Sequence, residues 1–241
     1  MSSGSGSSRI VSLVPSVTET LLAWGIDPVA VTRFCEQPDH EAVGGTKDPD
    51  LDRMVELAPD LVVLCREENR REDAEALVAA GLRTHVVDVR TVAGVPVELG
   101  ALAGAVGLDV GRLKAAGLLG DGEGVDPGAT PERTAFVPIW RNPWMSLGAD
   151  TYGADLLRAL GVRSVTADHQ DRYPTVTLEE VVAARPDLVV APSEPYPFSE
   201  RHRAELEEVA PVVLVDGADL LWWGVRTPAA IRRLGAVLSR G

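Results

Sequence analysis

The side chains best suited to bind a ligand are tryptophans that follow predicted strands. Four of the five tryptophans of the chain, Trp140, Trp144, Trp222 and Trp223, lie in its second half. Tyr196 follows another predicted strand. Large rings beside turns favour a flat apolar ligand held between two lobes. The alternative is that Trp140 and Trp144 only cover the edge of a sheet.

Polar residues at predicted strand ends could bind the rim of such a ligand. Arg141 and Arg226 follow strands of the second half, and Ser16 and Lys47 follow strands of the first. In open α/β sheets, ligands collect at the carboxyl ends of the strands. The Gly44-Gly-Thr-Lys47 segment could hold an anion through its amides, although a tight turn before a helix is the simpler interpretation. It lacks the spacing of a P-loop.

The two halves of the chain are related by a repeat with an offset of 127 positions. Pro59-Asp-Leu-Val-Val63 recurs as Pro186-Asp-Leu-Val-Val190, and Glu67 is matched by Glu194 shortly after each copy. Each copy reads helix, Pro-Asp turn, buried strand, acidic loop, helix and strand. A repeat of this length predicts two similar lobes, and a cleft between lobes is a common ligand site. The matched acids would project from their lobes in the same direction.

Histidine and cysteine spacing gives little support for metal binding or catalysis. The four histidines have no i, i+4 pair, and no nucleophile elbow is present. Cys35 and Cys65 are predicted to be reduced and buried, with a soft-metal site formed by these two and His40 as the weaker alternative. His202 lies in a charged helical stretch and is expected to be solvated. No metal, intrinsic cofactor or catalytic residue is predicted.

Composition excludes several partners. The chain of 241 residues carries a net charge of -13, which argues against nucleic-acid binding because that role needs a basic face. No apolar run approaches the roughly 20 residues that cross a bilayer. The first eight residues are rich in serine and glycine and are not a secretory signal. The sequence as written therefore predicts a cytoplasmic protein, with a periplasmic or extracellular location only if the start has been replaced or truncated.

Strands alternate with helices in both halves, which predicts an α/β fold: two Rossmann-like lobes with parallel sheets joined by a long backbone helix. Capping boxes are predicted at Ser16-Val-Thr-Glu19 and at Thr177-Leu-Glu-Glu180. A strand is predicted over 134–139, with the residues around Trp140 and Trp144 in the loop after it. The predicted division is a disordered tail (1–8), an N-terminal lobe (9–92), the connecting helix (93–117), a surface loop (118–132) and a C-terminal lobe (133–241).

Three segments together resemble a known family: Arg9-Ile-Val-Ser-Leu-Val-Pro-Ser-Val-Thr-Glu-Thr-Leu21, Val43-Gly-Gly-Thr-Lys47 and the twin Pro-Asp-Leu-Val-Val strands. They are similar to the helical-backbone metal receptor superfamily, with the class III periplasmic binding protein fold, nearest to its cobalamin and iron-chelate branch. The resemblance covers nearly the whole chain.

This resemblance implies a substrate-binding protein rather than an enzyme. The ligand would be a cobalamin-like corrinoid or a ferric chelate in the interlobe cleft, against the tryptophans named above. An ABC permease is the implied partner, and Glu67 and Glu194 fall where relatives carry docking acids. The alternative is a cytosolic enzyme, or a cofactor or metal chaperone, in which Cys35, Cys65 or an acid such as Glu67 or Glu68 acts directly.

Overall fold

A computed structural model describes residues 8–121, 125 and 130–239. These residues form two compact units. Unit 1 contains the described residues up to Asp88 together with Pro96–Leu119, and unit 2 contains Val89–Val95 and the described residues from Gly120 onward. All of the predicted tail except Ser8, and part of the predicted loop 118–132, lie outside the described residues.

Unit 1 is built on a four-stranded parallel sheet with the strand order β2-β1-β3-β4. In its core, helices pack on buried valine and leucine side chains of the central strands. Its elements are β1 (Ile10–Ser12), α1 (Pro15–Ala23), β2 (Ala30–Val31), α2 (Leu51–Leu57), β3 (Leu61–Cys65), α3 (Arg71–Ala79), β4 (Thr84–Val87), α4 (Val95–Ala105, whose first residue belongs to unit 2) and α5 (Val110–Ala115).

Unit 2 contains a second four-stranded parallel sheet, ordered β11-β10-β5-β8, and an antiparallel sheet ordered β6-β7-β9. Short 3-10 helices lie at Val92–Gly94 and Glu200–His202. Its other elements are β5 (Arg133–Phe136), β6 (Pro138–Arg141), β7 (Trp144–Ser146), α6 (Tyr152–Ala159), β8 (Val162–Ser164), β9 (Thr175–Val176), α7 (Leu178–Ala184), β10 (Leu188–Pro192), α8 (Arg203–Glu207), β11 (Val212–Val215), α9 (Gly217–Leu221) and α10 (Thr227–Leu238).

The two parallel sheets have the same plan. When the strands are matched by the repeat, β8-β5-β10-β11 corresponds to β2-β1-β3-β4. The aspartate of each Pro-Asp pair has the same role, since Asp60 accepts the Arg9 N–H (2.7 Å) and Asp187 accepts the Thr134 N–H (2.6 Å). Each carboxylate thus ties the start of the repeated strand to the strand beside it. The predicted α/β fold class with two similar units is confirmed.

The connecting segment predicted as one helix over 93–117 is helical but divided. Gly107 has a φ of +79°, which glycine adopts without steric cost, and α4 ends just before it. Asp109 then accepts the Arg112 N–H at 2.8 Å and caps α5. The apolar stripe predicted the helical content, and the glycine determines where the axis breaks.

Two local predictions were wrong. The strand predicted over 134–139 is split, because the chain leaves the parallel sheet after Phe136 and enters a hairpin of β6 and β7. The capping box at Ser16 is absent, because Pro15 begins α1 and Ser16 is inside the helix. The box at Thr177 is present, with Thr177 and Glu180 each accepting the other's backbone N–H.

Over the described part of the chain, no helix combines the length and the apolar character needed to cross a membrane.

Candidate functional site

An aromatic cluster in unit 2 is the main candidate site. Its members are Phe136, Trp140, Trp144, Tyr196 and Phe198. Trp144 stacks on Phe198 with the ring planes 8° apart, and Tyr196 lies 4.7 Å from Phe198 between ring centroids. Trp140 meets Tyr196 edge to face at 5.8 Å. Phe136 and Phe198 are buried, whereas Trp140 is 45% exposed, so the cluster has a packed base and an open ring.

The hairpin of β6 and β7 positions both tryptophans. Arg141 pairs with Trp144 across a turn in which Asn142 has a φ of 109°. Asparagine tolerates such backbone angles better than most residues. Tyr196 and Phe198 come from the segment after β10 and reach the hairpin from the neighbouring strand.

Arg141 is held beside this cluster by an ion pair. Its guanidinium binds both carboxylate oxygens of Glu205 on α8, at 3.0 and 2.9 Å, and lies 5.8 Å from the Trp144 ring centroid. The hydrogen bonds and charge of Glu205 raise the pKa of Arg141. The predicted rim cation is therefore neutralised within its own unit, and its planar group supports the Trp144 ring.

Trp222, Trp223 and Arg226 form a second group after α9. The Arg226 guanidinium lies over the half-buried Trp222 ring at 5.0 Å and contacts the buried Asp219 at 3.2 Å. Trp223 is 3% exposed and packs in the core of unit 2. Of the two adjacent indoles, only Trp222 has accessible surface beyond a few per cent.

The predicted residues of unit 1 have local partners or are buried. The Lys47 ammonium donates to the backbone carbonyl of Glu67 at 2.9 Å. Gly44 has a φ of +83°, and a Cβ at Gly45 would collide with the Arg33–Asp48 ion pair, so this segment is a tight turn. Ser16 is buried, and its hydroxyl has no hydrogen-bond partner among the described residues.

Glu67 and Glu194 occupy equivalent places, two residues beyond the ends of β3 and β10 respectively. Both are half-buried. A Cβ at Gly217 would lie 2.4 Å from Glu194 Cγ and 2.5 Å from its backbone nitrogen. The N–H of Gly217 donates to the Ser193 hydroxyl at 2.9 Å. The backbone that carries Glu194 is thus held against the start of α9, as the backbone of Glu67 is held by Lys47.

The two cysteines are free thiols inside unit 1. Burial raises the pKa of Cys65 to about 12, with the charge of Glu68 adding to the effect. Cys35 is 3.2 Å from the hydroxyls of both Thr18 and Thr32. Among the described residues, no group of three or more histidine, cysteine, aspartate or glutamate side chains is arranged to hold a metal ion.

Two small cavities of unit 2 lie outside the aromatic cluster. One, of about 180 Å³, is lined by residues that include Thr166, His169 and Glu180. The other, of about 230 Å³, is lined by residues that include Arg158 and Arg163. Both are smaller than most ligand pockets, and neither contains a predicted site residue.

Sequence reasoning missed three residues that complete the cluster: Phe198, His202 and Glu205. His202 was expected to be solvated, yet it is 8% exposed and its ring lies against Tyr196 and Phe198. The acidic and basic residues around it suggested a solvated helix. Only the position of Phe198 shortly after Tyr196 hinted that the segment turns back onto the unit.

Comparison with known proteins gives relatives of one kind. No known family model matches the chain. The chain is 27% identical over 189 residues to the vitamin B12-binding protein of Salmonella typhimurium, covering 76% of this chain and 71% of the relative. The periplasmic vitamin B12 binding protein BtuF of Vibrio cholerae matches in structure with a TM-score of 0.79, at 20% identity and with 97% of each chain covered.

A haem-binding protein has the same architecture. The periplasmic heme-binding protein BhuT, in complex with two hemes, matches with a TM-score of 0.76 at 24% identity, covering 98% of this chain and 99% of that one. This chain has the class III periplasmic binding protein fold. The resemblance to the helical-backbone metal receptor superfamily is confirmed.

The predicted cytoplasmic location is wrong. The two solved structures named above are both described as periplasmic proteins, and the comparison points to the periplasm. The expectation depended on the first eight residues, whereas the core of an α/β domain carries no mark of its compartment. The relatives named above are binding proteins and not enzymes.

Proposed function

We propose that this class III protein is the substrate-binding component of an ABC transporter and binds a metal-containing macrocycle. A cobalamin-like corrinoid is the first candidate, and haem or another ferric chelate is the second. The observation that carries the proposal is the aromatic cluster, whose exposed Trp140 ring is backed by packed rings. Its chemistry agrees with the ligands named for the relatives.

A flat ring system would bind here by covering apolar surface. Trp140 is 45% exposed, and its edge-to-face contact with Tyr196 holds the ring in one orientation. A ligand that stacks on a ring fixed in this way loses less entropy than one that must first order it. Burial of an aromatic side chain contributes about 25 cal/mol for each Å² of apolar surface removed from water.

Charge favours the corrinoid over an anionic chelate. Arg141 is neutralised by Glu205, and Arg226 contacts the Asp219 carboxylate. The chain as a whole carries a charge of -13. A macrocycle decorated with uncharged amides fits this surface better than one with free carboxylates, whose desolvation needs cations that are not already paired.

The transport role would place Glu67 and Glu194 at the contact with a permease. Their equivalent positions in the two copies and the backbone contacts that hold them support this role. The alternative of an enzyme or chaperone acting through its thiols is less well supported, because Cys65 is buried with a raised pKa and Cys35 is buried between threonine hydroxyls.

The test is calorimetric titration with cyanocobalamin and with haem. Trp140→Ala removes the exposed ring, and we expect cyanocobalamin affinity to fall by at least about tenfold, equivalent to about 1.4 kcal/mol. The variant should stay folded because Trp140 is not part of the packed base.

Trp24→Phe is the matched control, since it also removes an indole but lies in unit 1, where Trp24 donates to the Leu118 carbonyl. It should leave the affinity unchanged. Failure of both ligands to bind at high micromolar concentration would contradict the proposed function. Unchanged affinity of Trp140→Ala would show that Trp140 does not bind the ligand and only covers the edge of the sheet.

A further inference from the structure

His202 packs beneath the aromatic cluster and does not itself contact the ligand in the proposed function. Its ring centroid is 5.5 Å from those of Tyr196 and Phe198, with both contacts edge to face. Tyr196 in turn supports the exposed Trp140 ring. A buried polar ring thus connects to the exposed ring through a single intermediate side chain.

Both nitrogens of the His202 ring face N–H donors. The backbone N–H of Ser199 points at Nδ1 at 3.2 Å, and the Nε–H of Arg201 points at Nε2 at 3.2 Å. A neutral imidazole has one acceptor nitrogen and can accept one of these at a time, whereas an imidazolium can accept neither. Protonation of His202 would therefore set N–H against N–H on both sides of the ring.

On balance the surroundings of the ring favour its neutral form. Burial has the largest effect and lowers the pKa of His202, and the positive charges of Arg201 and Arg141 lower it further, whereas Glu205 and a backbone hydrogen bond with Ser199 raise it. Arg201 lies in the same 3-10 helix as His202, Arg141 lies in β6 and Glu205 lies in α8. The phenol of Tyr196 faces the ring from the segment after β10.

We propose that neutral His202 is a positioning residue, which holds Tyr196 and Phe198 and through them the Trp140 ring in the arrangement that binds ligand. Uptake of one proton by the ring breaks its contact with the Ser199 N–H, and the imidazolium moves toward water. The segment Tyr196–Ser199 then loses its anchor. This proposal rests on the proposed function in taking the aromatic cluster as the binding surface.

The direction of the pH effect follows from linkage. The ligand-binding arrangement prefers the neutral ring, so its pKa for His202 is below the ordinary value of 6.5. Affinity should be constant well above pH 6.5, where the ring is neutral in both arrangements. On acidification it should fall once the protonated arrangement becomes populated, by at most about tenfold for each pH unit, and level off below the lowered pKa.

The experiment compares cyanocobalamin affinity from pH 7.5 to 5.0, by equilibrium dialysis, in the parent protein and in His202→Asn. The asparagine oxygen can accept the Ser199 N–H but takes up no proton in this range. We expect the parent to weaken on acidification and His202→Asn to keep its neutral-pH affinity. His169→Asn, at an exposed histidine of the same unit, should follow the parent. A flat parent profile, or parallel profiles for the parent and His202→Asn, would overturn the proposal.

A measurement without ligand separates this inference from the proposed function. NMR titration should show the Tyr196 and Phe198 ring resonances shifting with the midpoint of the His202 ring. If they do so while neither cyanocobalamin nor haem binds, the proposed function fails and the positioning role stands. If the two rings do not respond to the titration of His202, the positioning role fails, whatever binds.

Discussion

Cys65 lies at the end of β3, 2% exposed, and burial raises the pKa of its thiol to about 12, so the thiol stays protonated well above neutral pH. The thiolate is the reactive form of cysteine, so this residue is inert in the folded protein. Cys35 is 4% exposed and has its sulfur between two threonine hydroxyls. Both side chains fill space in the core of unit 1.

Thiol accessibility gives a direct check at the residue scale. We expect neither cysteine to react with a disulfide reagent in the folded protein at pH 8 within minutes, and both to react at once in urea. Val78→Cys, at a position 57% exposed on α3, should add one thiol that reacts in the folded state. Rapid modification of the parent protein without denaturant would contradict the placement of both thiols and reopen a thiol-dependent activity.

The helix α7 is stabilised by hydrogen bonds in its first turn. Thr177 accepts the Glu180 N–H at 3.2 Å, and Glu180 accepts the Thr177 N–H at 2.8 Å. Hydrogen bonding of the Glu180 carboxylate to the Thr177 backbone N–H, and secondarily to the Thr177 side chain, lowers the pKa of Glu180. The cap is therefore fully present above the ordinary carboxyl range and weakens when acid protonates this side chain. The cap satisfies two backbone donors that the helix cannot pair by itself.

Removing this cap should destabilise unit 2. Thr177→Ala is expected to cost about 1 kcal/mol of unfolding free energy, measured by urea denaturation at pH 7. Val182→Ala is the control on the same helix, because Val182 is 47% exposed and its loss should change stability by less than about 0.5 kcal/mol. Equal effects of the two substitutions would show that the capping box contributes nothing particular.

Elements with strong local signals could be predicted from sequence, and those set by tertiary contacts could not. The α7 cap and both repeated strands follow from local pattern. The hairpin of β6 and β7 was missed because apolar residues 134–139 read as one strand, whereas the chain changes sheet after Phe136. Pro138, the first residue of β6, is the local signal of that change, because proline cannot donate to the hydrogen bonds of a central strand.

The aromatic cluster of the candidate site could be predicted to the same extent. Trp140, Trp144 and Tyr196 were found from their places after strands, and they do come together. The contact between Arg141 and Glu205 joins residues 64 positions apart, and no periodicity indicates it. The prediction that His202 is solvated was wrong. The charged residues beside it in the sequence do not show that this segment packs on aromatic rings.

At the scale of the whole molecule, net charge should select among ligands. A charge of -13 repels an anionic chelate and has little effect on an overall uncharged corrinoid. Salt shortens the screening length from about 10 Å at 0.1 M to about 3 Å at 1 M. The difference between the two ligands should therefore shrink as salt is added.

Calorimetry at low and high sodium chloride measures this effect. We expect the affinity for haem, a dicarboxylate, to rise with salt and that for cyanocobalamin to stay within about twofold. Cyanocobalamin serves as the internal control for effects of salt on the fold. A salt dependence that is the same for both ligands, or a fall in haem affinity, would show that local cations and not the overall charge determine selection.

Parallel pairing in both large sheets also determines the order in which structure can form. Each strand of those sheets is connected to its neighbour by a crossover. The ends of a long chain segment must therefore come together before any such pair of strands can form hydrogen bonds. β6 and β7 are joined by two residues and need no such closure. The hairpin that carries Trp140 and Trp144 is therefore closed by a local segment, whereas the Tyr196 and Phe198 rings that complete its surface reach it only when β10 is in its sheet.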